Sequence, residues 1–290
     1  MDLYLQVLAG GVLNGVVYAL IAIGLTIIFG VMRLVNFAHG EMVVIGMYIG
    51  YWCFELIGIS PLAAMPVAAL ALFALGYVLQ LTVVNAFISR PHHVQFILFI
   101  SFALVITGLH MMLFGPTPRG IFSMASFETF DIGPLRLDMT RVQAAAGAIV
   151  LMALLFVFLR FTTTGQAIRA AADSRIGAEV IGIRINRVFA ITAGIGMACA
   201  GAAGALVAPM FDTHPFLAPE FTLLAFIVVI IGGLGSIPGA IAGGILIGIV
   251  EALAAVMINP SMKSMFSYAL LVLVLLVRPA GLFGAAGGRR

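Results

Sequence analysis

The chain has 290 residues, of which 63% are hydrophobic and 9% charged, with a formal net charge of +3. Soluble proteins average about 45–50% apolar and about 25% charged residues, so charges this sparse cannot cover a core this apolar. A soluble enzyme is excluded, and the small net charge gives no electrostatic case for a nucleic-acid partner; the expected surroundings are a lipid bilayer.

Met1-Asp2 carries no basic residue, and the apolar run behind it is too long for the core of a signal peptide, so the N-terminus is expected to stay as a first membrane span. About 20 apolar residues cross a bilayer as a helix. Candidate spans lie at about 5–30, 42–59, 62–88, 96–114, 142–160, 188–210, 220–232, 237–257 and 265–279, of which 220–232 is short enough for a half-span. Lipid leaves every backbone group to be satisfied within its own segment, which requires helices. The expected fold is all-α and integral to the membrane: a polytopic bundle of about 8–10 transmembrane helices in one domain over 1–290. Cys53 and Cys199 both fall in apolar runs and read as small buried hydrophobes, with neither a disulfide framework nor a metal set.

Basic residues collect on one side of this arrangement. Arg33, Arg90, Arg160, Arg169, Arg175, Arg184, Arg187, Arg278, Arg289 and Arg290 are assigned to the cytoplasm by the positive-inside rule. Arg119, Arg136, Arg141 and Lys263 then lie outside, beside Asp2, Glu55, Glu128, Asp131, Asp138, Asp212 and Glu220. The N-terminus is expected outside and the C-terminus inside. In the outer segment 115–141, Pro116, Pro118, Arg119, Glu128, Asp131, Pro134, Arg136 and Asp138 form either a docking surface for a soluble partner or a plain solvated loop.

Two stretches break the apolar pattern at membrane depth: VMRLVNFAHGEM (31–42) and GGLGSIPG (232–239). Each lies between apolar helices. Paired interruptions of this kind mark discontinuous helices and an internal repeat in transporters. GxxxG pairs at Gly11/Gly15, Gly46/Gly50, Gly239/Gly243 and Gly244/Gly248 would let helices pack closely in lipid. Residues 162–187 form an amphipathic inner segment. Ile168, Ala172, Ile176, Val180 and Ile183 recur at helical spacing as one apolar face, while Arg169, Asp173, Arg175, Glu179 and Arg184 lie largely off it. Gly165 and Gly182 bracket the segment. It reads either as an interfacial helix or as a docking element for a cytoplasmic partner.

Polar groups at membrane depth are the candidates for a substrate pathway or gate. Asn36, His39 and Glu41 lie at the first break; the alternative there is an edge turn, with Asn36 capping a helix and the other two wetted. Gly232, Gly233, Gly235 and Ser236 form the second break. Glu251 is a lone acid in the eighth span with no partner visible in the sequence, so it either snorkels to the interface or takes part in the pathway. Asn14 and Tyr18 share one helix face and either bridge helices or meet substrate. His92-His93 lacks metal-ligand spacing and reads as a solvated loop. GLGSIPG has Leu234 where a serine-hydrolase elbow needs Gly. Lys263 follows Met262, so no Walker A loop exists in the chain. No catalytic residue, metal site or bound cofactor is expected.

The stretches LNGVVYALIAIGLTIIFGVMRLVNFAHGEMVVIGMYIG (13–50), GQAIRAAADSRIGAEVIGI (165–183), GGLGSIPGAIAGG (232–244) and RPAGLFG (278–284) resemble the LivH-type permease subunit of bacterial branched-chain amino acid ABC importers. NFAHG favours the H-type over its M-type sister. The resemblance implies a permease of the inner membrane working with an M-type sister permease, two cytoplasmic ABC ATPases that bind ATP and Mg, and a periplasmic binding protein. It implies that Gly165, Ile168, Arg169, Ala172, Asp173, Ile176, Glu179 and Gly182 couple the permease to an ATPase. Branched-chain or other small amino acids would be the cargo, with urea, short amides or aromatic acids as alternatives within the family. A self-contained channel or ion-coupled transporter is the competing class; against it, acids inside spans are few.

Overall fold

The computed structural model describes residues 2–122, 127–133, 135–259 and 262–284, with nothing said of the side chains of Asp2 and Ile132. Arg289, Arg290 and Pro134 lie outside the described residues.

A helix stands at each of the nine candidate spans. Among the described residues, eight are long and apolar enough to cross a membrane and a ninth, Lys263–Val277, is shorter. In chain order they are α1 (Asp2–Met32), α2 (His39–Ile57), α3 (Pro61–Leu79), α5 (His92–Phe114), α6 (Met139–Phe161), α9 (Ile185–Val207), α10 (Ala218–Gly232), α11 (Ile237–Met257) and α12 (Lys263–Val277). α3 runs through a π turn at Gln80–Val84 into the short α4 (Asn85–Phe87). Between α6 and α9 lie two short helices, α7 (Thr163–Asp173) and α8 (Arg175–Val180).

Glycine decides which helices touch. α1 and α11 run antiparallel along most of their length: a Cβ on Gly15 would stand 2.7 Å from the Gly244 carbonyl oxygen, and one on Gly30 would stand 3.6 Å from Gly235 Cα. Gly46 and Gly50 of α2 lie against Gly201 and Ala205 of α9, and Gly243 of α11 lies against the Val228 carbonyl of α10. All four GxxxG pairs therefore lie at helix crossings. Backbones approach there as side chains would not allow, which is how helices gain packing energy when lipid offers no hydrophobic drive.

The first break is a re-entrant segment. α1 ends at Met32, and Arg33 takes a left-handed φ of 54°. Leu34, Asn36 and Ala38 are buried while Arg33 and Val35 between them are exposed, the alternation of an extended chain. His39, the first residue of α2, places Nε2 2.9 Å from the Ile21 carbonyl. Ile21 lies eleven residues before Met32, about 16 Å back along the axis at 1.5 Å per residue, so α2 starts beside the body of α1 and not at its end. α10 starts at the same level: the Gly40 amide donates to Thr222 Oγ1 at 3.0 Å. With the short turn Pro215–Leu217 before it, α10 belongs to an 18-residue run that is long and apolar enough to cross a membrane, against the half-span reading of 220–232.

The second break is tight. Gly233 and Gly235 have φ of 104° and 83°, open to glycine and costly for other residues. Ser236 then caps α11 by accepting from the Gly239 amide at 3.1 Å. The C-terminal stretch 278–284 returns to this turn. The amides of Leu282 and Phe283 donate to the carbonyls of Ile231 and Gly232 at 2.8 and 3.0 Å. They satisfy acceptors that the end of α10 leaves open.

Segment 115–141 is more than a solvated loop. It holds an antiparallel hairpin, β1 (Thr129–Ile132) with β2 (Leu135–Asp138), and Asp138 caps α6 through the Thr140 amide at 2.8 Å. Arg119 exchanges two backbone hydrogen bonds with Thr213 and lays its guanidinium over Tyr51 and Trp52. His92 and His93, expected in a loop, open α5 as its first turn; Pro91 before them fixes a backbone that suits a helix start.

Candidate functional site

Glu251 has partners that the sequence conceals. Tyr18 of α1 donates its hydroxyl to Glu251 Oε2 at 3.1 Å, and Ser267 of α12 donates to Oε1 at 3.0 Å. Glu251 is 9% exposed, so the acid is held inside the bundle and does not snorkel. A carboxylate has about four lone-pair sites; the two hydroxyls occupy two of them. A hollow of about 570 Å³ opens onto the cluster, lined by Asn14, Tyr18, Arg141, Phe211, Glu251 and Lys263. A smaller one adjoins it through Tyr18, Phe211, Glu251 and Lys263. Lys263 Nζ lies 5.2 Å from the Phe211 ring centre. Asn14 Oδ1 is buried without a partner. The site thus presents Glu251, the cation Lys263, an Arg141 whose Nε lies 3.8 Å from Asp138 in the same lining, and one unanswered acceptor.

The first break gathers a second polar cluster. Asn36 Oδ1 accepts from the Ala38 amide at 3.0 Å, a local turn bond; Ala38 is the N-cap of α2 and no side chain caps that helix, so Asn36 does not take the capping role. His39 and Glu41, however, are buried at 0% and 3% exposure, against the alternative that both are wetted. Glu41 Oε1 accepts from Thr107 at 2.7 Å, and Oε2 lies 3.8 Å from His110 Nδ1. Phe37 packs between Phe96 and Phe226. Gly40 sits so close to α10 that a Cβ would overlap the Ala218 carbonyl oxygen. Two helix N-termini, those of α2 and α10, converge here, stitched by Thr222, whose hydroxyl also reaches the Phe37 and Ala218 carbonyls at 3.4 and 3.0 Å. At the second break Gly232 and Gly233 are buried, while Gly235 and Ser236 reach the surface.

The amphipathic segment is not one helix with one apolar face. Ser174, in an extended conformation, ends α7 and caps α8 through the Gly177 amide at 3.1 Å. That residue rotates the register. Ile168, Ala171 and Ala178 are buried, whereas Ala172 faces out and Ile176 and Val180 are 75% and 81% exposed. Gly165 packs beneath the Leu159 carbonyl, and Gly182 turns with φ of 86°. Arg169 donates to the Leu159 carbonyl. Glu179 is bonded by Arg175 at 3.2 Å, and Asp173 is exposed at the end of α7.

Comparison with known proteins fits this geometry. Residues 7–275 match the family described as the permease component of branched-chain amino acid transport systems. The chain belongs to that family. It is 32% identical to the high-affinity branched-chain amino acid transport system permease protein LivH of Escherichia coli K12, over 97% of this chain and 96% of that protein. The corresponding protein BraD of Pseudomonas aeruginosa is 30% identical over the same shares. In fold, the chain is similar to PsaBC from Streptococcus pneumoniae in complex with Fab, with a TM-score of 0.50, 11% identity, and coverage of 96% of this chain and 94% of that one.

The permease is therefore a transport subunit of an ABC importer and a multi-pass membrane protein. Its sequence offered Asn14 and Tyr18 on one helix face and Glu251 apart from them; the structure brings all three to one hollow. It brings Asn36, His39 and Glu41 to another cluster. Ser267, Thr107, His110 and Thr222 escaped sequence reading. Their signal was a hydroxyl or imidazole inside an apolar helix, costly there without a partner.

Proposed function

We propose that this permease forms one half of the path for a small zwitterionic amino acid, with the hollow at Glu251 as the ligand's stopping place. The observation that carries this reading is a buried acid, Glu251, with two unused acceptor positions facing the same space as Lys263, and as Arg141 beside Asp138. An α-ammonium would bind Glu251, and an α-carboxylate would bind the cations. Phe211 offers apolar wall to an aliphatic side chain.

In this reading the N-terminal end of α1 and the hollow face the periplasm, where a binding protein delivers the ligand. The arginine-rich ends, with α7 and α8, face the cytoplasm. Ile176 and Val180 supply the apolar anchors that a short helix places in a groove, here a groove on one of two ABC ATPase chains. ATP and Mg bind those chains. A sister permease of the M-type completes the path. Hydrolysis moves α7 and α8, and the break at 33–38 transmits the shift to the middle of the bundle.

The test is reconstitution of the purified complex in proteoliposomes with its binding protein. ATP hydrolysis and uptake are measured for leucine, urea, a short amide and an aromatic acid. Leucine is expected to stimulate both, and Glu251→Gln is expected to cut uptake by roughly 10-fold or more, the worth of a hydrogen bond to a charged group. Equal stimulation by urea, indifferent to Glu251→Gln, would remove the zwitterion reading.

A further inference from the structure

We infer that the groove between α1, α6 and α11 is a binding site for an anionic phospholipid. The groove encloses about 880 Å³. Ile149, Met152, Ala153 and Phe156 of α6 form one wall, with Ile23 of α1 and Ile241 of α11 opposite. At one end only, two guanidinium groups line it, those of Arg160 and Arg169, and no acid joins them in the lining.

The dimensions match one leaflet. Ile149 to Arg160 spans eleven residues of α6, about 16 Å of helix axis. Half of a hydrocarbon core about 30 Å thick is about 15 Å. The arginines therefore stand at headgroup depth and the apolar walls at acyl-chain depth. Both guanidinium groups are held in place. Arg160 lies 5.9 and 5.8 Å from the ring centres of Phe156 and Phe161. Arg169 gives one hydrogen bond to the Leu159 carbonyl. A guanidinium has five N–H donors in a planar fork, so most of Arg169's donors stay free for a phosphate, the partner such forks bind in bidentate fashion. Basic pockets between transmembrane helices are how membrane proteins select anionic headgroups. Water in this groove would wet an apolar wall, and a neutral chain alone would leave two cations without a counter-charge.

The inference does not depend on the ligand path, since the lining shares no residue with the Glu251 hollow. The test uses the full permease with its co-purifying subunits in nanodiscs of phosphatidylcholine with phosphatidylglycerol. Retained lipid is counted by native mass spectrometry after detergent exchange. Phosphatidylglycerol is expected to be retained over phosphatidylcholine. Arg160→Gln with Arg169→Gln should weaken that preference about 30-fold, from about 1 kcal/mol per basic residue at the surface. Ala153→Trp, which fills an exposed stretch of the groove and leaves both arginines, should also lower retention. A photo-crosslinker at residue 153 should label lipid. Equal retention of both lipids, unchanged retention in both variants, or a crosslink to a second polypeptide would overturn the inference, the last by giving the groove to a neighbouring helix.

Discussion

The imidazole Nε2 of His39 lies 2.9 Å from the carbonyl oxygen of Ile21, and this contact fixes the depth at which α2 begins. Without it the upper end of the extended segment 33–38 keeps only the Gly40 contacts with α10. His39→Ala is expected to destabilise the purified permease by about 1–3 kcal/mol through a lost buried hydrogen bond. A lower unfolding temperature in detergent, with faster proteolysis near Val35, would register the loss. Unchanged stability would mean that packing alone sets the depth.

Gly40 has no room for a side chain, because its Cβ would overlap the Ala218 carbonyl. Gly40→Ala should push α2 from α10 and cost about 1–3 kcal/mol, the range for overpacking a tight site. Gly108→Ala, at a position where nothing lies within 4 Å of the new atom, is the matched control and should leave thermal stability unchanged.

Tyr18 and Ser267 act through the same carboxylate. Tyr18→Phe and Ser267→Ala are each expected to lower uptake several-fold. The double variant should depart from additivity by at least about 0.5 kcal/mol, as residues sharing one partner do. Strictly additive effects on the uptake rate would place the two hydroxyls in separate roles.

Ile176 and Val180 are 75% and 81% exposed on α8. Ile176→Asp should leave membrane insertion and thermal stability intact, since surface changes stay within about 0.5 kcal/mol. ATP hydrolysis by the assembled complex should lose its response to the liganded binding protein. A full response in the variant would move the docking surface elsewhere.

Residues 278–284 close the end of α10. A chain stopped after Pro279 loses the amides of Leu282 and Phe283, which bond the Ile231 and Gly232 carbonyls. Two buried acceptors left open cost about 1–3 kcal/mol each. Amide hydrogen exchange should rise in the last turn of α10, with little change in α3.

Composition, apolar run length and the arginine pattern by themselves determined that this is a helical membrane protein, with a helix at every candidate span. Those signals are local: an apolar run of given length in lipid has one stable backbone. The breaks were legible for the same reason, since Asn-Phe-Ala-His-Gly and Gly-Gly-Leu-Gly-Ser cannot continue an apolar helix. Which distant polar groups meet was not legible. Tyr18 and Glu251 are 233 residues apart, and no periodicity reports a hydroxyl meeting a distant acid. The amphipathic reading of 162–187 failed at one residue. The spacing from Ile168 to Val180 holds only on an unbroken helix, and Ser174 breaks it by capping α8, which turns Ile176 and Val180 outward. Only the tertiary structure decided that α2 and α10 start together beside the body of α1, because that level is set by contacts of His39 and Gly40 with other helices and by nothing in their own sequence.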